Sequence, residues 1–383
     1  MQMKRHLLTT ASISLIALIV IVLLVLRFII LKSVDGKNNN VLESPPYSVS
    51  DETRRFHLQA FVADLHADPL LWGRDLRKKN KLGHIDIPRL IEGGIDLQVF
   101  GVVTKVPKVR NYSSTRNESD ILPLLFISSW RSPITWFSAK QRALVQAAEL
   151  NQLAKQSELT LVLRKKDLSV GGVKGLLSLE GMHALQGGSD ALNEFYLAGY
   201  RMMGLTHHFD NQFAGSAHGI EKGGLTTFGQ DLIPQLESLG ITIDLAHASP
   251  LAFKETLELA TKPVVVSHGG VQGTCPGKRN LTDEQIHAVA QNGGVIGIGY
   301  WKSAVCDTSI EGIVKAILYT IEVAGIDHVG LGSDFDGNVI TPFDTTGVPM
   351  ITAALLEQGL SQEDTKKVLG GNVLRVLKLN LPD

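Results

Sequence analysis

The stretch Phe61-Val-Ala-Asp-Leu-His-Ala-Asp68 is an apolar run that stops in His-x-Asp. On a β-strand, residues i and i+2 point to the same side. His66 and Asp68 therefore place an imidazole and a carboxylate together at a strand end, which is the start of a metal site. Seven further apolar runs, bounded by Gly, Pro or polar clusters, follow at 95–104, 173–180, 201–207, 241–247, 264–268, 294–300 and 328–334. Several are apolar at consecutive positions, the pattern of strands buried on both faces, as in a parallel sheet. Helical patterns lie between them, at 192–197, 231–239, 252–260, 283–291 with Thr282 as its cap, and 309–324. A last helix at 364–369 follows Ser361, and 372–379 continues it. Eight alternating strand and helix units predict an α/β chain closed into a (β/α)8 barrel of the TIM type. The alternative, a doubly wound open sheet for a dinucleotide, lacks Gly-x-Gly-x-x-Gly after the first strand.

The remaining chain fits around that barrel. The sequence has 383 residues, 44% hydrophobic, with a formal net charge of −1 and no long block of one sign. That is ample for a large core and gives no sign of a nucleic-acid partner. Residues 7–26 carry no charge and are mostly Leu, Ile and Val. About 20 such residues span a bilayer as a helix. Lys4 and Arg5 precede them, which favours a cytoplasmic N-terminus. The rest of the chain then lies outside the cytoplasm, periplasmic or extracellular. A cleaved signal peptide is the rival, with a shorter apolar region and a small-residue cleavage site. The expected organisation is a cytoplasmic tip and membrane anchor at 1–32, a polar tether at 33–50 and a catalytic barrel at 51–383. A long insertion, 105–168, follows the second strand and holds Trp130, Trp136 and a helical pattern at 139–156. It serves as a lid over the mouth, as a contact in a homodimer, or as packing on the rim. Cys275 and Cys306 are the only cysteines. They pair in an oxidising compartment, or remain two buried thiols.

The active site of such a barrel sits at the C-terminal ends of its strands. The residues there are His66, Asp68, Glu180, His207, His247, His268 and Asp334. A single strand-end His is more often a packing residue than a ligand, and a single carboxylate is more often a cap. Convergence changes this, because clustered imidazoles and carboxylates repel and resist desolvation unless cations join them. Imidazoles with carboxylates suit zinc better than magnesium or calcium. The ligands exceed what one tetrahedral zinc uses. Two Zn2+ about 3.5–4 Å apart, bridged by Glu180, use them economically and make a shared water a hydroxide nucleophile near neutral pH. The chemistry expected is hydrolysis of an amide, ester or phosphoester.

Nine stretches, in this order, carry a family resemblance: Asp64-Leu-His-Ala-Asp68, Gly83-His-Ile-Asp-Ile-Pro-Arg-Leu90, Ser178-Leu-Glu-Gly-Met-His183, Leu205-Thr-His207, Ile243-Asp-Leu-Ala-His-Ala-Ser249, Val266-Ser-His268, Lys278-Arg-Asn280, Gly330-Leu-Gly-Ser-Asp-Phe-Asp-Gly337 and Gly370-Gly-Asn-Val-Leu-Arg-Val376. The chain resembles the membrane (renal or microsomal) dipeptidases of the metal-dependent amidohydrolase superfamily. The resemblance implies a binuclear zinc dipeptidase in which a metal-bridging hydroxide attacks the peptide bond of a dipeptide. It implies His66 and Asp68 on the first zinc, Glu180 as the bridge, and His247 and His268 on the second. His207 then polarises the scissile carbonyl, Arg279 pairs with the substrate's terminal carboxylate, and Asp334 handles protons. Secreted relatives have a disulfide in this region, which implies a Cys275–Cys306 bond. The chain departs from the family pattern at Trp72, at 300–303 and at 207–214, where His208 competes with His207. Two rival functions remain: an amidohydrolase for acylated amino acids or lactones, and a non-catalytic binding protein on the same scaffold. His84, Asp86 and Asp336 are read as structural, His183 equally as packing or as a support for a ligand, and Asp244 as a buried hydrogen-bonding residue with the orienting of a ligand histidine as its sharper alternative. His328 begins its strand, away from the mouth, and His57, His218 and His287 show no partner in the sequence.

Overall fold

Strands buried on both faces need a second layer on each side, and a closed ring supplies it. The computed structural model describes residues 2–186 and 189–383; Met1, of the expected cytoplasmic tip, lies outside them. Nine parallel strands are present: β1 (Ala63–Ala67), β2 (Leu97–Val103), β3 (Leu159–Leu161), β4 (Val173–Glu180), β5 (Tyr200–Gly204), β6 (Thr242–Asp244), β7 (Val265–Gly269), β8 (Val295–Ile298) and β9 (Val329–Leu331). Their order is β2-β1-β9-β8-β7-β6-β5-β4-β3, and an added β2–β4 pairing closes eight of them into a TIM-type barrel. β2 and β4 run in register from Leu97–Lys174 to Val103–Glu180. β3 pairs only with the opening residues of β4 and stays outside the ring.

The ring's interior is packed by Leu65, Val99, Leu176 and Val265, and its base by Val373, Val376 and Leu377 of the C-terminal helix Asn372–Asn380. Helices cover the outside, and local chemistry starts them. Thr282 and Gln285 form a capping box for Asp283–Asn292, and Ser309 caps Ile310–Ala324. The helix before β6 starts earlier than its apolar pattern, at Thr227, because Thr226 caps it there. The helix after Ser361 runs Gln362–Lys366, and the chain kinks at Gly370 before the helix Asn372–Asn380.

The N-terminal helix Gln2–Ile29 is long and apolar enough to cross a membrane. The segment after it does not run free, although 33–50 reads as a tether. Asp35 and Asn39 are buried, Val41 pairs with Thr341, and Leu42 N donates to Thr341 O at 2.9 Å. The insertion holds helices Leu122–Ser128 and Ala139–Gln156 as well as β3. Arg142, fully buried, fastens it to the barrel by donating to Thr104 O at 2.8 Å, and braces the insertion itself by pairing with Asp120 at 2.5 Å.

Candidate active site

Most site residues lie at strand ends or just past them, where the backbone leaves the sheet and turns. His66 is on β1, Glu180 ends β4 and His268 is on β7. His207 follows β5 by three residues. His247 and Asp334 adopt left-handed backbone, with φ of 64° and 61°. Such a conformation costs a non-glycine residue about 1 kcal/mol or more and is common at functional turns. The run 241–247 therefore holds a strand only over Thr242–Asp244.

All seven strand-end residues meet. Glu180 Oε1 lies 3.7 Å from His66 Nε2, 3.2 Å from His247 Nε2, 3.6 Å from His207 Nε2 and 3.7 Å from His268 Nε2. His66 Nε2 is 3.4 Å from Asp68 Oδ1 and 4.0 Å from Asp334 Oδ1. Each is buried or nearly so. All but His66 line a cavity of about 270 Å³ together with Arg279, His208, His218, Trp301 and the insertion residues Val106, Arg110, Asn111 and Tyr112. Part of the insertion thus stands at the mouth. Trp72 is buried instead, its Nε1 donating to Asp336 O at 2.7 Å.

The electrostatics are those of a cation site. Burial, then the nearby Asp68, pushes the Glu180 carboxyl well above its ordinary value. Burial does the same to Asp334. Burial holds His207, His247 and His268 well below the usual imidazole value, reinforced by neighbouring cationic groups. Burial also presses on His66, but Asp68 and Glu180 outweigh it and hold that imidazole up at about 10. His66 Nε2, Asp68 Oδ1 and Glu180 Oε2 are buried without a hydrogen-bond partner. The donor atoms of His66, Asp68 and Glu180 lie within 4.8 Å of one another, as do those of Glu180, His247 and His268. Donors of zinc-binding type, grouped in two trios that share Glu180 and orphaned in the first, fit a pair of divalent ions.

Supporting residues aim these groups. Ser267 Oγ lies 2.9 Å from His268 Nδ1 and donates to Asp244 Oδ2 at 2.5 Å, so Asp244 orients a candidate ligand through a serine. Asp64 accepts from Ser333 N and Oγ at 2.8 and 2.6 Å, tying β1 to the turn that carries Asp334. Arg279 Nη2 donates to His268 O at 2.7 Å. His218, without a visible partner in the sequence, places Nε2 3.1 Å from His247 Nδ1. No spacing rule could have found it, because 205–225 contains no regular element. The same holds for Arg110 and Tyr112. His183 meets Thr104 Oγ1 at 2.8 Å, and burial pushes it down to about 3. Cys275 and Cys306 are joined in a disulfide that pins the Arg279 loop to the segment after β8.

A parallel barrel with imidazoles and carboxylates gathered at its C-terminal mouth defines a hydrolase of the metal-dependent amidohydrolase class. The chain belongs to the membrane dipeptidase family, peptidase family M19, whose profile matches residues 50–380. It is 28% identical over 309 residues to dipeptidase tcpJ of Claviceps purpurea, covering 78% of this chain and 70% of that protein. A metallopeptidase from Rhodobacter sphaeroides, solved with a phosphinate mimic of the dipeptide L-Ala-D-Ala, is 25% identical with a TM-score of 0.70, covering 84% of this chain and 99% of that one. The probable dipeptidase PvdM from Pseudomonas aeruginosa, at 19% identity, shares the fold with a TM-score of 0.73 over 86% of this chain and 97% of that one.

Proposed function

We propose that this protein is a binuclear zinc dipeptidase held in a membrane by its N-terminal helix, with the barrel outside the cytoplasm. The observation that carries the reading is the placement of Glu180, 3.7 Å from His66 Nε2 and 3.2 Å from His247 Nε2. One carboxylate can then serve both halves of the site. His66 and Asp68 would hold one ion, His247 and His268 the other, and Glu180 both. When bound, paired cations acidify water toward neutrality and polarise a carbonyl.

The chain's own groups do the rest. Arg279 presents a planar guanidinium fork in the cavity, suited to both oxygens of a peptide's terminal carboxylate. That contact sets which bond lies over Glu180. His207, kept neutral by burial, donates one ring N–H to the carbonyl oxygen as charge develops there. Asp334 carries a proton from the attacking water to the leaving nitrogen. The Rhodobacter relative's dipeptide mimic supports a dipeptide substrate and a D-residue at its second position.

The test is a panel of dipeptides of varied side chain and chirality, given to the full-length protein with zinc restored. We predict hydrolysis of dipeptides and about two zinc ions per chain. Activity confined to acylated amino acids, or less than one zinc after gentle purification, would contradict the reading. Arg279→Met is predicted to raise KM roughly 10- to 100-fold, the worth of a charged hydrogen-bonded pair, with kcat much less affected. An unchanged KM removes Arg279 from carboxylate recognition.

A further inference from the structure

The end of the anchor helix is sewn to the rim of the catalytic mouth. The helix Gln2–Ile29 continues through Ile30–Asp35 and Gly36–Asn38. Asp35 Oδ2 lies 3.4 Å from Arg74 Nε, and Arg74 Nη2 lies 2.5 Å from Asp336 Oδ2. Asn338 N donates to Asn39 Oδ1, and Asn38 Nδ2 donates to Asn338 Oδ1, both at 2.8 Å. Gly337, Asn338 and Val339 line the active-site cavity. At 1.5 Å of rise per residue, Asp35 stands roughly 13 Å beyond Leu26, where the uncharged span ends. The rim loop is therefore held within a few helical turns of the lipid.

A second observation lies on the same side. The insertion helix Leu122–Ser128 is apolar almost all round. Leu122, Leu125 and Phe126 pack into a small core, but Leu124 faces outward at 61% exposure. Trp130, Ile134 and Phe137 are exposed at 51%, 58% and 87%. The anchor helix packs beside Leu122–Ser128. Large apolar side chains exposed this closely along one stretch of chain mark a membrane or protein contact. Trp, Phe and Leu are the side chains that settle at the headgroup boundary.

We propose that the catalytic mouth opens at the bilayer surface, and that Leu124, Trp130, Ile134 and Phe137 enter the headgroup layer of the membrane that holds the anchor. The inference rests on the proposed anchor. Lipid is the occupant because the span, which must lie in lipid, runs along this same face. Substrate then reaches the cavity through the layer between barrel and membrane, an approach that suits small peptides.

The protein's four tryptophans are Trp72, Trp130, Trp136 and Trp301, none of them in the anchor helix. Their emission therefore reports on the barrel domain alone. The full chain is reconstituted in phosphatidylcholine vesicles with ordinary or brominated acyl chains, and flotation is scored separately. The expected result is floating protein whose emission is lower in brominated lipid, with most of the difference removed by Trp130→Phe. Floating protein with equal emission in both lipids overturns the proposal and leaves the anchor intact. Protein that does not float overturns both. Equal emission, together with a detergent-solubilised dimer that Phe137→Asp converts to monomer, assigns the patch to a second copy instead.

Discussion

Gly101, on β2, has no side chain because its neighbours leave no room: a Cβ there would overlap Asp68 and His66. The backbone is ordinary strand, so alanine folds normally and the cost falls on the site. We predict that Gly101→Ala displaces Asp68, lowers metal content toward one ion per chain and reduces kcat by about 100-fold, as ångström misplacements do. Metal analysis beside steady-state kinetics checks this, and full metal content with unchanged kcat contradicts it. Residues such as His66, Glu180 and His268 are legible in a sequence because strand periodicity fixes where they emerge. His218 is not, since it sits in an irregular stretch and its partner His247 lies 29 residues away, beyond the helix Thr227–Leu239 and β6. Gly101 is equally silent, because the close approach that demands it involves side chains of another strand.

Secondary-structure elements are legible where their own residues start and stop them, as at Thr282 and Ser309. They are obscure where tertiary contacts decide. The chain kinks at Gly370, whose backbone is not helical and which sits against the Phe61 carbonyl, where a Cβ would clash. β3 is three residues long and owes its pairing to β4. His57, in the helix Asp51–Gln59, finds its partners at Thr352 Oγ1, 2.7 Å away, and Gly93 O, 2.9 Å away. These contacts join the helix to Val348–Glu357 and to the turn before β2. Burial lowers the His57 pKa from 6.5, outweighing the hydrogen bond to Gly93 O that raises it. Below pH 6.5 the unfolded chain therefore holds a proton that the folded chain does not, so this contribution is full above 6.5 and is lost as pH falls toward the folded value. We predict a urea midpoint that declines from pH 7.5 to pH 5, with a shallower decline in His57→Gln, which keeps a donor and an acceptor but does not titrate. Identical slopes for the two proteins would refute the assignment.

On the scale of the whole molecule, the eight apolar runs foretell the ring because each is buried on both faces, whereas the docked segment 35–43 has no such pattern and depends on single polar contacts such as Asp35 with Arg74. The ring also sets a conflict at its mouth. Glu180 and Asp334 resist ionising there, and His207, His247 and His268 resist protonation. Divalent ions would remove that conflict only in the folded state, since the candidate ligands come from strands on opposite sides of the barrel. Binding to the folded form alone stabilises it by about 4 kcal/mol at a thousandfold excess over Kd. For a large domain each kcal/mol moves Tm by about 2–4 °C. We therefore predict that chelation abolishes activity and lowers Tm by roughly 10 °C, that zinc restores both, and that magnesium, which prefers an all-oxygen shell, restores neither. Glu180→Gln, which weakens the candidate ligand common to both trios, should make Tm nearly insensitive to chelator. A chelated wild type that melts where the zinc-loaded protein does would show that no ions couple these strands.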